Sequence, residues 1–458
     1  MALPRTLAPG HGFRLVMLGL GIAVVPLDTA VNISFPDITG SFGLPISMIQ
    51  WVVICYVLTY SALMLAFGRI GDIAGHARVF RAGLAWSVAA FLLCSLAPSF
   101  GWLLFFRFLQ GIGAGLVISC APALVTGLYP EARRSHAVGV FSLIFALGSA
   151  SGPLIGGVLV ARWGWPAVFW FRAPIALVSL LFARGLPAPA AAGGGRFDVT
   201  GALLLAFGLT TLLLGINASA RFATGNYIAL LPLMAAVASL GGFIWWEGQA
   251  AEPIVRINLF RARGFTAINL VNALMNLCAF SVMLFVPYFL VQVSAMKLWL
   301  AGLVLAASWV TTALTSPLAG WLIVRVSAER VAGFGLFMAA AGLFSTGGWP
   351  ADVTPAMMVL TLAVQGIGVG LFQVSYMDIV MRSSPLADRG VAGSLGVLTR
   401  TIGTVTGATV LTLLFRLFQG SETGPAEFIG PFHTVFHVAA IAVAVSLFAI
   451  PWWRSTSA

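Results

Sequence analysis

Gln110-Gly-Ile-Gly-Ala-Gly-Leu116 comes back 255 residues later as Gln365-Gly-Ile-Gly-Val-Gly-Leu371, each time inside a long apolar stretch. Gly148 and Gly152 recur at that same shift as Gly403 and Gly407, and Gly68 with Arg78 recurs as Gly320 with Arg330 at a shift of 252. Three separate motifs holding one register make the chain two parallel copies of one unit. The stretch between Arg184 and Gly264 has no counterpart in either copy.

Composition says what kind of unit is repeated. With 60% hydrophobic and 8% charged residues among 458, the chain has too few polar side chains to cover a water-exposed surface. A membrane-crossing helix takes about 20 mostly apolar residues, and stretches of that kind are predicted at 13–36, 46–68, 79–97, 101–127, 136–161, 165–184, 198–217, 227–247, 264–292, 299–323, 331–349, 355–380, 391–416 and 433–453. The expectation is an all-α membrane protein with fourteen transmembrane helices: a six-helix half over 1–184, two inserted helices with hydrophilic linkers over 185–263, and a second six-helix half over 264–458. The basic N-terminus and first apolar run read as a retained helix, because that run contains Asp28 and continues past it without a small-residue cleavage site.

The net charge of +11 raises the question of nucleic acid, and its distribution answers it. If the N-terminus is cytoplasmic, seventeen arginines fall in inner loops and tails, four basic residues (Arg162, Arg221, Lys297 and Arg416) in outer loops, and Arg107, Arg172 and Arg400 inside helices. That asymmetry is the positive-inside pattern of a multi-pass protein of a bacterial-type inner membrane with both termini cytoplasmic. It calls for a lipid bilayer, not nucleic acid, as partner. The four cysteines lie in apolar stretches without metal-ligand spacing and read as packing residues. A phosphate-cradling loop ending in Gly-Lys-Ser/Thr needs a lysine, and Lys297 is the single one present, so ATP drive is excluded. His433 and His437 have the i, i+4 spacing of a metal pair without further ligands, so no metal is expected.

Arg107 lies six residues inside Gly101, roughly 9 Å below the outer surface by helical rise. An arginine at such depth costs at least ~2.5–3.5 kcal/mol and needs a partner. Asp28 of the first helix lies at a similar depth. Proton and cation would then compete for one carboxylate; the alternative is a fixed structural ion pair. Gly148-Ser-Ala-Ser-Gly-Pro-Leu-Ile-Gly-Gly157 sets Gly148, Gly152 and Gly156 on one helical face beside Gly157, and Pro153 removes a backbone hydrogen bond and invites a bend. Asn269, Asn272 and Asn276 form a polar stripe that should avoid lipid, either by facing a cavity or by bonding between helices.

Gly68-Arg-Ile-Gly-Asp-Ile-Ala-Gly-His-Ala-Arg78, placed in a short inner loop, resembles the signature loop of the major facilitator superfamily. Ile73 departs from the usual arginine there, and the second copy has Val324 where Asp72 stands in the first. Gly148 to Gly157 is similar to the antiporter motif of superfamily exporters. Leu27-Asp28-Thr-Ala-Val-Asn32-Ile-Ser-Phe-Pro36, Gln50-Trp51 with Tyr56, and Arg400 before Gly403 narrow the resemblance to the fourteen-helix drug:proton antiporters. In the first of these motifs Asp28 and Asn32 are one residue closer than is usual in that family.

The resemblance implies proton-coupled export of hydrophobic or cationic small molecules by alternating access, with no cofactor, the proton gradient as energy source, and a monomeric protein. It implies coupling by Asp28, Arg107, Asn32 and Arg400, a cavity lined by Asn269, Asn272, Asn276 and Tyr56, and a latch of Gly68, Asp72, Gly75, Arg78, Arg330 and Asp378, the last near Arg325 or Arg330. A plain positive-inside turn is the other reading of the loop. A metabolite importer or facilitator of the same fold, and a non-transporting membrane sensor or scaffold, are the competing functions.

Overall fold

In a bilayer the backbone must satisfy its own hydrogen bonds, which leaves apolar chains the helix. The computed structural model describes residues 11–129, 134–183, 198–218, 230–250, 263–383, 389–419 and 425–451, and among these it contains helices and no strands. The first repeat holds α1 (His11–Ala23), α2 (Ala30–Ile33), α3 (Phe35–Ser41), α4 (Gln50–Ala74), α5 (His76–Ser95), α6 (Phe100–Gly127), α7 (Arg134–Trp163), α8 (Ala167–Trp170) and α9 (Arg172–Phe182). Next come α10 (Val199–Ala218) and α11 (Leu231–Glu247). The second repeat holds α12 (Arg263–Tyr288), α13 (Leu298–Arg325), α14 (Ala328–Gly347), α15 (Pro355–Arg382), α16 (Arg389–Phe418) and α17 (Pro425–Val445). Among the described residues eleven helices are long and apolar enough to cross a membrane, or twelve with the bent pair around Gly43 taken as one span; Ala167–Phe182 and Leu231–Glu247 are apolar but shorter.

The motif that fixes the repeat does the same mechanical job twice. Bare of side chains, Gly111 and Gly113 let α6 press on the Tyr56 carbonyl of α4 and on Ser87 of α5; Gly366 and Gly368 let α15 press on Ser308 of α13 and Ala339 of α14. Each repeat thus has its fourth long helix wedged against two neighbours at the distance small residues permit.

The first span is not one helix. Pro26 has no N–H to give, and the α-helical ladder of α1 stops at Ala23; the chain then winds as a 3₁₀ turn, Pro26–Thr29, before α2 resumes. A different correction applies to the stretch read as a loop from Gly68 to Arg78. α4 continues through it to Ala74 and α5 starts at His76, so the connection is Gly75 alone. Its backbone, at φ 95°, lies where side-chain-bearing residues are strained. The seven residues Gly68–Ala74 of that "loop" are in fact the last turns of a helix because nothing between them breaks the ladder.

The repeats touch through α7 against α13, α4 against α16, and α12 against α2 and α3. We call the end where α4 turns into α5 and α13 into α14 the basic face, after its arginines. Towards the opposite face the repeats are tied by the Tyr288 hydroxyl, which donates to the Phe35 carbonyl and to Thr39 Oγ1, both at 3.3 Å. Nearby the Trp165 backbone N–H donates to Asp37 at 2.7 Å, and Phe42 packs on Phe100 and Trp165.

The inserted helices α10 and α11 pair with each other, and α10 lies along the seam between α4 and α16. Asp198 caps α10 by accepting from Gly201 N at 2.9 Å and also accepts from Trp246 Nε1 of α11 at 2.7 Å. Glu247, at the end of α11, is buried beside Gly201.

Candidate functional site

The structure brings Asp28 and Arg107 together and adds a second arginine. Arg107 of α6 grips the carboxylate with both guanidinium arms, Nη1 to Oδ1 at 2.7 Å and Nη2 to Oδ2 at 2.9 Å, the bidentate geometry that makes such pairs strong. Arg172, at the start of α9, donates Nη1 to the same Oδ1 at 2.7 Å, and Gln110 Nε2 donates to it at 3.0 Å. Arg107 Nε also donates to the Val52 carbonyl and Arg172 Nε to that of Val168, which anchors both side chains to backbone. Both arginines are sealed, at 1% and 0% exposure, while the Asp28 side chain keeps 15%.

Aromatic faces complete the enclosure. Arg107 lies 4.3 Å over the ring of Tyr56, Arg172 lies 4.5 Å over Phe91, and Phe169 serves both. Tyr56 is therefore a buried support beneath Arg107 and not part of a cavity wall. Asn32 also departs from expectation. Because the chain between Pro26 and Thr29 is wound as 3₁₀, Asp28 and Asn32 do not share a neighbour: Asp28 faces α6 and α9, and Asn32 Nδ2 lies 3.0 Å from Met283 Sδ of α12.

The sequence reading missed Arg172 and Gln110, although a signal was present. Arg172 was one of three arginines inside helices, and a buried arginine demands an acid; among the described residues every carboxylate but Asp28 sits near a helix end or in a connection. The cluster also belongs to one repeat alone. At the 255-residue shift Asp28 maps to Met283 and Arg107 to Leu362. Gln365, the partner of Gln110, accepts from Ser308 at 2.6 Å.

The glycines of α7 face this cluster. A Cβ on Gly148 would meet Pro26 Cγ at 2.7 Å, one on Gly152 would meet Ala30 N at 2.9 Å and Thr29, and one on Gly156 would meet the Ala30 carbonyl at 2.8 Å. Thr29 Oγ1 donates to the Ser149 carbonyl of α7 at 2.9 Å. The turn bearing Asp28 is thus laid directly into the α7 groove. On another side, Gly157 and the Pro153 carbonyl meet Gly302 and Leu298 of α13, in the second repeat. α7 runs unbroken over Arg134–Trp163 with Pro153 inside it.

In the second repeat the asparagines bond between helices. Tyr376 donates to Asn269 Oδ1 at 2.9 Å, Asn272 Nδ2 to Thr399 Oγ1 at 2.9 Å, and Asn276 Nδ2 to Asn272 Oδ1 at 3.0 Å; Gln373 Nε2 lies 3.4 Å from both Asn272 and Asn276. Asn269 and Asn272 are fully buried, so they hold α12, α15 and α16 together, whereas Asn276 and Gln373 keep some exposure. Arg400 of α16 is exposed and takes no part in the Asp28 cluster.

Comparison with known proteins settles what these features belong to. The sequence profile of the Major Facilitator Superfamily matches residues 17–306 and, again, 268–458. The chain belongs to the Major Facilitator Superfamily. It is 29% identical over 412 residues to the multidrug transporter protein MdtP of Bacillus subtilis, covering 89% of this chain and 76% of that protein. It is 26% identical over 406 residues to the riboflavin transporter RibZ of Clostridioides difficile, covering 88% and 87%. Among solved structures, a bacterial homologue of the human lysosomal transporter Spinster, inward-facing and unoccupied, superposes with a TM-score of 0.70 at 18% identity, covering 98% of this chain and 97% of that one, which shows the shared fold.

The stretch that resembles the superfamily's signature loop is helical up to Ala74 and turns at Gly75. Gly68 and Arg78 are described, half-buried and exposed respectively, while the side chain of Asp72 lies outside the described residues. In the second copy Arg330 is exposed and Arg325 stacks on Trp321 at 3.7 Å. Asp378, expected to meet one of them, pairs instead with Arg382 one turn along its own helix at 2.8 Å, because that partner is always within reach. His433 bonds to the Trp349 carbonyl at 2.8 Å, and His437 packs on Phe344.

Proposed function

We propose that this superfamily transporter is a proton-coupled exporter of hydrophobic small molecules, working by alternating access and powered by the proton gradient without a cofactor. One observation carries the reading: among the described residues the only carboxylate at mid-membrane sits on a broken helix pressed into the glycine groove of α7, and α7 is also packed on α13 of the other repeat. A change in the charge of Asp28 weakens its hold on Arg107 and Arg172, frees the turn to shift in that groove, and through α7 moves the joint between repeats. Burying three charges for a static scaffold would bring cost without use. The multidrug relative and the antiporter-like α7 support export; the riboflavin relative keeps a metabolite carrier as the second reading.

In this reading the basic face is cytoplasmic, as the positive-inside rule requires, and the membrane is a bacterial-type inner membrane. The spans number fourteen: twelve with the bent pair, plus the two shorter apolar helices. They divide as halves 1–184 and 264–458 with an inserted pair in 185–263, and the protein acts as a monomer.

The test is a pH-sensitive dye in inverted membrane vesicles with an acidified interior, challenged with a panel of lipophilic compounds. Proton release on addition of a substrate, abolished in Asp28→Asn while the purified variant keeps its size-exclusion profile, is the expected result. Undiminished release in Asp28→Asn removes the coupling role. Solute accumulating in whole cells instead of leaving them selects the metabolite carrier.

A further inference from the structure

Among the described residues, one charge at mid-membrane is neither sealed nor paired, and it is positive. Asp28 is bonded to two arginines and a glutamine, and both arginines are closed off. Arg400 lies in the middle of α16, is exposed, and has no carboxylate within ion-pairing distance among the described residues.

The direction of Arg400 follows from its neighbours. Thr399 bonds to Asn272 of α12, and Thr401 bonds to Ser61 of α4 at 3.0 Å. Successive helical residues are turned by about 100°, so Arg400 bisects those two directions and opens onto the space between the repeats. Ile402 and Thr406 point the other way, against Leu209 and Leu212 of the inserted α10. Arg400 therefore faces away from the outer seam. On its Thr399 side α16 meets the network of Asn272 and Asn276 of α12 with Gln373 of α15, which offers neutral donors and acceptors.

We propose that the transported solute is an amphipathic organic anion, a carboxylate or sulfonate on an apolar aromatic body, whose charge is held by Arg400. This deepens the export reading and rests on it. The three helix-embedded arginines against one aspartate leave the core at +3 − 1 = +2, a field that opposes a lipophilic cation and favours an anion. A guanidinium matches the two oxygens of a carboxylate, whereas a cationic solute would find no free carboxylate at mid-membrane among the described residues.

Two xanthene dyes of similar shape and opposite charge test it: fluorescein, an anion, and rhodamine 123, a cation. In inverted vesicles with an acidified interior, wild type should take up fluorescein in preference to rhodamine 123. Uptake should fall at least tenfold in Arg400→Gln and recover in part in Arg400→Lys, with size-exclusion profiles of all three unchanged. Binding to the purified protein, read by tryptophan quenching, should show the same order. Gradient-driven uptake of rhodamine 123 without fluorescein overturns the anion assignment and leaves export standing. Fluorescein binding that depends on Arg400, without gradient-driven uptake of either dye, supports the anion site and overturns export. Fluorescein binding equal in wild type and Arg400→Gln overturns the assignment, and so does an absence of fluorescein binding to the folded wild type.

Discussion

With two guanidiniums bonded to it, Asp28 holds α6 and α9 to the first span, and the two bonds are unequal. Arg107 grips with both arms and Arg172 with one. Removing one partner of a buried pair costs about 3–5 kcal/mol because the other charge is left stranded. Asp28→Leu strands two, so it should lower the thermal unfolding midpoint of the purified protein most. Arg172→Leu leaves the bidentate pair intact and should cost about 1–3 kcal/mol. Thermal melts of the two variants in one detergent would check that order; equal midpoints would mean Arg172 contributes as much as the whole cluster. At this scale the sequence was legible where depth alone sufficed, as for Asp28 with Arg107. It was not legible for Arg172, whose place depends on how α8 and α9 fold back after Pro166, nor for Asn32, whose direction depends on a 3₁₀ winding that periodicity does not reveal.

The helix that links that cluster to the other repeat is α7, and its glycines make a graded test. Gly152→Val would drive side-chain atoms into Thr29 and the Ala30 backbone, neither of which is a flexible chain end. Transport should be lost by more than tenfold, with the first span displaced. Gly241→Ala on the inserted α11 meets nothing within 4 Å and should leave flux unchanged, gaining slightly in helix propensity. Flux measured at matched protein levels separates the two; equal loss in both would point to general fragility instead of the α7 groove. Long apolar segments made nearly every helix visible in the sequence, since lipid leaves the backbone no alternative. Ends were less visible. The predicted second span, 46–68, begins at Gln50 because Pro45 and a 3₁₀ turn occupy its start, and it runs on to Ala74 because polar residues near a membrane surface do not stop a helix.

Across the whole molecule, the ties between repeats at the face away from the arginines include the bonds of Tyr288 to Phe35 and Thr39. A neutral hydrogen bond contributes about 1 kcal/mol net, equivalent to roughly fivefold in a conformational equilibrium. Tyr288→Phe should therefore raise the accessibility of a cysteine placed at the buried Ile38, read by thiol labelling from that face, about fivefold; unchanged labelling would mean that apolar packing alone closes this end. The two-copy architecture could be read from the motif register, but the asymmetry of the copies could not, because a charge cluster present in one repeat and replaced by Met283 and Leu362 in the other shows only when the partners are in place. The inserted pair has a consequence of its own. With α10 laid along the α4–α16 seam, that seam is walled off from the acyl chains, whereas the α7–α13 seam faces them as a bare joint closed by its own small residues, Gly157 against Gly302.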